Sequence, residues 1–370
     1  MRPFVALPVV ALPVLALAAG VVLAAAFATP VFADPAGPTD YRSEVVSVDP
    51  PSDDIDLEII GGDSFVQLTA QPGADVIVVG YRGEPYLWFR PDGTVAENRN
   101  APTLYQNLRR YGSDAPAGAD PEAAPDWHQV ASDHRWAWHD HRAHWMQNTR
   151  PLGASPGDQI LEAVVPLVVN DADVSVTVAS TWQPAPSPLP AWLGAIAGGL
   201  AAVGWWATTR RGRQAMPWLV PPAALALAVG GWQYLSLPSE TGPRLVWWAL
   251  PAVAVLCAVA AIVLERRARQ RARSGGAESG GARGGGFWAD AAMLLVGVEL
   301  AIWGWVKRDG LSAALIPTDA PGWLDRFAVA AAFTSGVGFA ALALWALFGP
   351  GQRVQGALGL AASGPPVSTS

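Results

Sequence analysis

The 370-residue chain has a single cysteine, a single lysine and five histidines, and only 15% of its residues are charged. The one thiol, Cys257, falls in an apolar run, so the polar part of the chain can form no disulfide and offers no soft thiolate ligand. Several catalytic signatures are also missing: no His-Glu-x-x-His helix motif, no phosphate-binding Walker loop and no Gly-x-Ser-x-Gly elbow. Few charges with a mean hydropathy of +0.24 set the chain apart from ordinary soluble proteins and point to a membrane. Heavy use of arginine beside one lysine, Lys307, fits a GC-rich coding genome.

The apolar residues gather at two places. Residues 3–27 follow Met1-Arg2 and end in small residues before Asp34, which is the pattern of a secretory signal over 1–33; Pro8, Pro13 and the length of the run also suit an uncleaved anchor. Either outcome exports residues 34–183. Residues 190–348 hold five runs long enough to cross a bilayer as helix, near 190–208, 217–237, 245–264, 288–306 and 327–348. Alternate loops and the 349–370 tail carry ten Lys and Arg against four on the other side, which places the tail in the cytoplasm and residues 34–189 outside. Twelve of the 18 tryptophans lie in or beside these runs, where indoles suit the headgroup boundary. The expected location is the plasma membrane, with the lipid bilayer as first partner.

Charge divides along the same line. Residues 34–189 carry 23 acidic residues against nine arginines, and the rest of the chain nets +7. An acidic exported domain repels nucleic acid and raises the local concentration of cations. It reads as all-β, because short runs rich in Val, Ile, Tyr, Phe and Trp recur between turn residues at 44–48, 55–60, 65–69, 76–80, 86–89, 128–131, 135–139, 160–169 and 174–182. These predict a β-sandwich, with a long loop over 98–126. The Pro-rich stretch 184–190 predicts a stiff spacer holding the sandwich roughly 20 Å off the membrane.

All five histidines fall between His128 and His144, so any metal or proton chemistry of imidazole uses this stretch. Within Trp138-His139-Asp140-His141-Arg142-Ala143-His144-Trp145-Met146, a strand would put His139 and His141 on one face, and a following turn would bring His144 to complete a three-nitrogen set. Imidazoles bind Cu(II), Zn(II) and Ni(II), the Met146 thioether would favour Cu(I), and Asp140 or Asp133 could be a fourth ligand or orient a ring. Copper is the first expectation. The same residues suit a hydrogen-bonded sandwich edge with Arg142 paired to a carboxylate, and clustered imidazoles also titrate together near pH 6. His128 and His134 read as ordinary surface residues. In the membrane half, Glu299 lies within the 288–306 run, and a carboxyl there suggests a proton or cation relay or a polar tie between helices.

The Trp-His-Asp-His-Arg-x-His-Trp-Met string, the Tyr41-Arg42-Ser43-Glu44-Val45 opening with Asp49-Pro50-Pro51, the Gly80-Tyr81 to Leu87 segment and the Trp182-x-Pro-x-Pro-Ser exit resemble an uncharacterised family of actinobacterial membrane proteins. That resemblance implies location and topology and carries no activity. Fold class and the Ser-Val-Asp-Pro-Pro turn also resemble copper-resistance sandwich domains of the CopC kind. Those domains bind copper through an amino-terminal histidine, whereas cleavage here would expose Asp34. Two functions follow: a membrane-anchored domain that binds or senses a transition metal through His139, His141 and His144, or a non-catalytic domain that contacts an envelope partner. Neither is an enzyme.

Overall fold

The computed structural model describes residues 34–349 apart from 148, 243–244 and 274–280, with only the backbone of 281–285. The leader expected over 1–33 and the tail from 350 onward lie outside the described residues. The N-terminal region is built of antiparallel strands in two sheets. The larger contains β1 (Tyr41–Asp49), β4 (Val76–Val79), β5 (Pro85–Phe89), β6 (Val95–Asn98), β7 (Trp127–Ala131), β9 (Gln159–Val169) and β10 (Ala172–Trp182), in the order β1-β10-β9-β4-β5-β6-β7. The smaller orders β2 (Ile55–Ile60), β3 (Phe65–Ala70) and β8 (Arg135–Trp138) side by side.

Alternation builds these strands. In β10, Val174, Val176 and Val178 point inward while Asp173 and Ser175 face water. Asn170 and Asp171, both at positive φ, form the two-residue turn that returns the chain from β9 to β10. Val66, Leu68 and Trp138 of the small sheet meet Val76, Leu87 and Leu167 of the large one in a single apolar core. Part of the expected 98–126 loop is ordered otherwise: β6 runs through Asn98, and a short helix, α1, spans Pro102–Gln106. Four residues without alternation and a five-residue helix carry no periodic signal.

The C-terminal region is helical: α2 (Leu189–Arg210), α3 (Val220–Leu235), α4 (Leu245–Arg273), α5 (Gly281–Val306) and α6 (Gly322–Phe348). Four of these, all but α3, are long and apolar enough to cross a membrane. The expected 217–237 run divides into a 3-10 turn at Met216–Leu219 and the 16-residue α3. Prolines at the first positions of each piece explain the division, since they supply no N–H to continue a helix across the joint. Small residues let the helices approach closely: a β-carbon on Gly194 of α2 would stand 2.1 Å from the Phe327 carbonyl of α6. Pro251 inside α4 cannot bond the Trp247 carbonyl four residues earlier, and Trp303 of α5 donates its indole N–H to that oxygen at 2.7 Å.

The β-region rests directly on the loops of the bundle, not on a 20 Å stalk as the 184–190 stretch predicts. Thr39 and Leu315 exchange two backbone hydrogen bonds of 3.0 and 2.8 Å. Ala314 N–H donates to Asp40, and Glu240 accepts from the Ala137 N–H on the open edge of β8 at 3.2 Å. Beneath these, Ala36, Phe65 and Ala137 pack with Leu237 and Trp247 of the bundle. Edge N–H groups and apolar side chains that a stalk would leave wet find partners this way.

Trp303→Phe should lower the thermal stability of the full-length protein in detergent by about 1–3 kcal/mol, because it removes the indole N–H that donates to the Trp247 carbonyl. Trp305→Phe, at an exposed position, should not. Equal melting of the two variants would show that this bond does not tie α4 to α5.

Candidate functional site

The chain leaves β8 at Trp138, so the histidine string is not a strand and the expected pairing of His139 with His141 on one face does not occur. Asp140 makes the turn. Its carboxylate, fully buried, accepts from the Arg142 backbone N–H at 3.1 Å, and Ala143 N–H donates to its carbonyl at 2.9 Å. The Arg142 guanidinium grips both carboxylate oxygens, Nε to Oδ1 at 2.8 Å and Nη2 to Oδ2 at 2.7 Å, and Trp138 Nε1 adds a bond of 3.1 Å to Oδ2. Burial works to raise the pKa of Asp140, yet the Arg142 charge and these donors outweigh it and hold the carboxyl below its ordinary value. Tyr81 completes the knot: its hydroxyl donates to Asn107 at 2.5 Å, accepts the His141 backbone N–H at 2.8 Å, and its ring lies under Arg142. Asp140 is therefore an anion with both oxygens engaged by internal donors. Asp133 lies apart on the surface beside Arg135.

The three expected imidazoles do come together, though each ring faces a backbone carbonyl. His139 is buried, stacks on Phe65 with ring centroids 4.1 Å apart, and places Nδ1 2.6 Å from the Ser64 oxygen and Nε2 2.9 Å from the Asp34 oxygen. Desolvation pushes its pKa down, and the two carbonyl acceptors oppose this only in part. His141, half-buried on Tyr81, directs Nε2 at the Arg109 carbonyl, 3.1 Å away. His144 is buried with Nε2 2.7 Å from the Arg110 carbonyl and Nδ1 without a hydrogen-bond partner among the described residues. Burial first, then the nearby Arg110 guanidinium, lower the His144 pKa to about 3. Ring centroids are 6.2 Å apart for His139 and His144 and 5.5 Å for His141 and His144.

A carbonyl only accepts, so each nitrogen facing one carries the proton when the bond forms. Both His139 nitrogens could donate at once only in the protonated ring; the neutral ring that burial favours donates to one carbonyl and turns its remaining lone pair toward the other. His141 and His144 each keep Nδ1. Among the described residues, no group of three or more His, Cys, Asp or Glu side chains is placed to hold a metal ion. Met146 is half-buried just beyond, where Trp145 Nε1 donates to the Thr149 carbonyl at 2.8 Å.

No protein-family model, curated protein or solved structure matches the chain. The site is therefore read from its own geometry. Residues that sequence patterns did not mark complete it: Asp63, buried with its carboxylate 2.6 Å from Arg110, and the carbonyls of Asp34, Ser64, Arg109 and Arg110. Backbone acceptors leave no trace in residue type. Of the outlying histidines, His128 sits beside Asp126 at the surface, while His134 occupies a left-handed turn against Gly93. Glu299 of α5 is 7% exposed, and its Oε2 has no partner among the described residues.

Asp140→Asn should destabilise the full-length protein by about 3–5 kcal/mol in thermal or denaturant unfolding, because Arg142 would stay buried without its counter-charge. An unchanged melt would show that the pair does not hold the turn. A second expectation concerns pH. Unfolded histidine takes up a proton near pH 6.5, whereas His144 in the fold resists doing so until about pH 3, so stability present above pH 6.5 is lost as the pH falls. Between pH 7 and 5 this ring alone should cost about 2 kcal/mol, and His144→Gln should flatten the dependence by that amount. A wild-type protein that gains stability over the same range would contradict the neutral assignment.

Proposed function

We propose that the chain is a plasma-membrane protein whose β-sandwich lies outside the cytoplasm and is seated on a bundle of five spanning helices, and that it serves as a non-catalytic contact domain for an envelope partner. The observation that carries this reading is the consumption of the histidine string by internal bonds. Asp140, Arg142, His139 and Tyr81 spend their donors and acceptors on holding the turn and its neighbours. Such a constellation fixes a surface in place and leaves little for chemistry. The excess of Lys and Arg on one set of loops supports the sidedness, and the 3-10 turn with α3 supplies the fifth span.

Topology is tested with a membrane-impermeant maleimide on intact cells. Cys257 is buried and should stay silent, so Asp173→Cys on the exposed face of β10 should be the labelled position. Labelling only after lysis would put the domain in the cytoplasm and end the reading.

A second reading, metal binding with copper as first choice, keeps one specific support. His141 and His144 each turn Nε2 toward a carbonyl and leave Nδ1 free, the arrangement in which a second bond orients a metal-bound imidazole. On this reading the full-length protein binds Cu(II) or Cu(I) in titration; His141→Ala and His144→Ala abolish binding, and His139→Ala leaves the metal-binding nitrogens in place. Absence of binding by the wild-type protein would leave the contact-domain reading alone.

A further inference from the structure

The loop between β8 and β9 carries an apolar tip that is exposed among the described residues. Leu152 is 101% exposed, and the other large apolar residues exposed on the β-region, Val46, Tyr111 and Val164, range from 46% to 56%. Pro151 precedes Leu152, and Gly153 follows it with no side chain to block its approach to a surface. The loop lies at the end of the β-region that meets the bundle. Gly157 N–H donates to the Trp182 carbonyl at 2.7 Å and Trp182 N–H to Asp158 at 3.0 Å. The next residue, Gln183, donates to the carbonyl of Asp40, whose side chain accepts from Ala314 in the bundle loop. Trp145, at the base of the loop, contacts Tyr41 with ring centroids 6.5 Å apart. From Trp182 the chain runs into α2, where Leu189, Trp192 and Ile196 are 59%, 67% and 58% exposed on a helix that would face lipid.

We propose that the Pro151-Leu152-Gly153 tip inserts into the lipid headgroup region beside α2, giving the β-region a second hold on the membrane next to its dock on the bundle. The chemistry suits that surface. A bare leucine provides apolar insertion, the Trp145 indole an amphipathic ring, and the exposed Arg150, stacked 5.6 Å over Trp182, a cation at phosphate level. Burial of the Leu152 side chain in lipid would be favourable where the loop overhangs the bilayer. Continuity with the exposed face of α2 selects lipid as the occupant over a protein partner. The inference rests on the reading of the bundle as embedded in a bilayer.

The test is site-directed spin labelling of the full-length protein in nanodiscs of phosphatidylcholine and phosphatidylglycerol, on a Cys257→Ala background. Labels go on Leu152→Cys, on Val203→Cys of α2 as the lipid reference, and on Asp173→Cys as the water reference. The Leu152 label should collide with a water-soluble nickel complex about threefold less than the Asp173 label and with oxygen more, as expected of a group at the interface. Nickel accessibility equal to that of Asp173 overturns the proposal, and shielding from both reagents overturns it in favour of protein contact. If Leu152 fails while Val203 reads as hydrocarbon, the membrane reading stands without the loop. If Val203 also reads as water, both fall together.

Discussion

A carboxylate with no exposed surface governs the β-region near the bundle. Asp140 is surrounded by donors: three from Arg142, counting its backbone, and one from Trp138. An ion pair moved from water into an apolar interior normally loses more in solvation than it regains in attraction. Here the extra hydrogen bonds tip the balance, and in doing so they fix the direction of the chain. Because Asp140 turns the backbone, His139 points back to Ser64 and Asp34, and His144 reaches across to Arg110. The N-terminal segment held by His139 continues to Thr39, which pairs with Leu315 of the bundle. One buried charge therefore anchors both the histidine string and the segment through which the two halves of the chain meet.

The bundle meets this arrangement through Trp247. Pro251 frees the Trp247 carbonyl, Trp303 occupies it, and Gly230 makes room, since a β-carbon there would stand 1.9 Å from the same oxygen. The Trp247 ring packs into the patch formed by Ala36, Phe65, Ala137 and Leu237, and Phe65 in turn stacks on His139. Close to the same seam, Lys307 lies over Trp303 and pairs with buried Asp325. Several polar groups at this end of the bundle are thus matched internally, although Oδ1 of Asp325 and Nε of Arg326 are buried with no hydrogen-bond partner among the described residues.

How much of this was legible depends on the range of the forces involved. Strand β10 showed plainly because Val174, Val176 and Val178 alternate with Asp173, Ser175 and Thr177, and β9 because it is a run rich in valine that ends at turn residues. The long apolar helices showed because a bilayer demands length and hydropathy together. What sequence patterns could not show was the end of β8. An alternating run favours continuing through His139, and only the bond from Asp140 to a residue two places on turns the chain away. The stand-off attributed to the Pro-rich stretch failed for a related reason: a spacer's stiffness is local, while the dock joins Thr39 to a loop more than 270 residues later.

Clustered histidines raise a metal hypothesis by composition, but nitrogen counting decides how far it reaches. Three imidazoles offer six ring nitrogens, and four of them face carbonyl oxygens here. A neutral ring that donates through one nitrogen keeps a lone pair on the other, so a carbonyl contact can orient a ligand as readily as it can replace one. His139 has a carbonyl at each nitrogen, so the lone pair its neutral ring keeps faces an oxygen. His141 and His144 each turn only one nitrogen to a carbonyl, and Nδ1 of His144 is buried with no partner among the described residues. Two nitrogens fall short of the four ligands of a structural zinc site. Any ion held there would need a low coordination number or ligands from solvent, which favours copper over zinc and ties metal occupancy to the neutral state that burial imposes on His144.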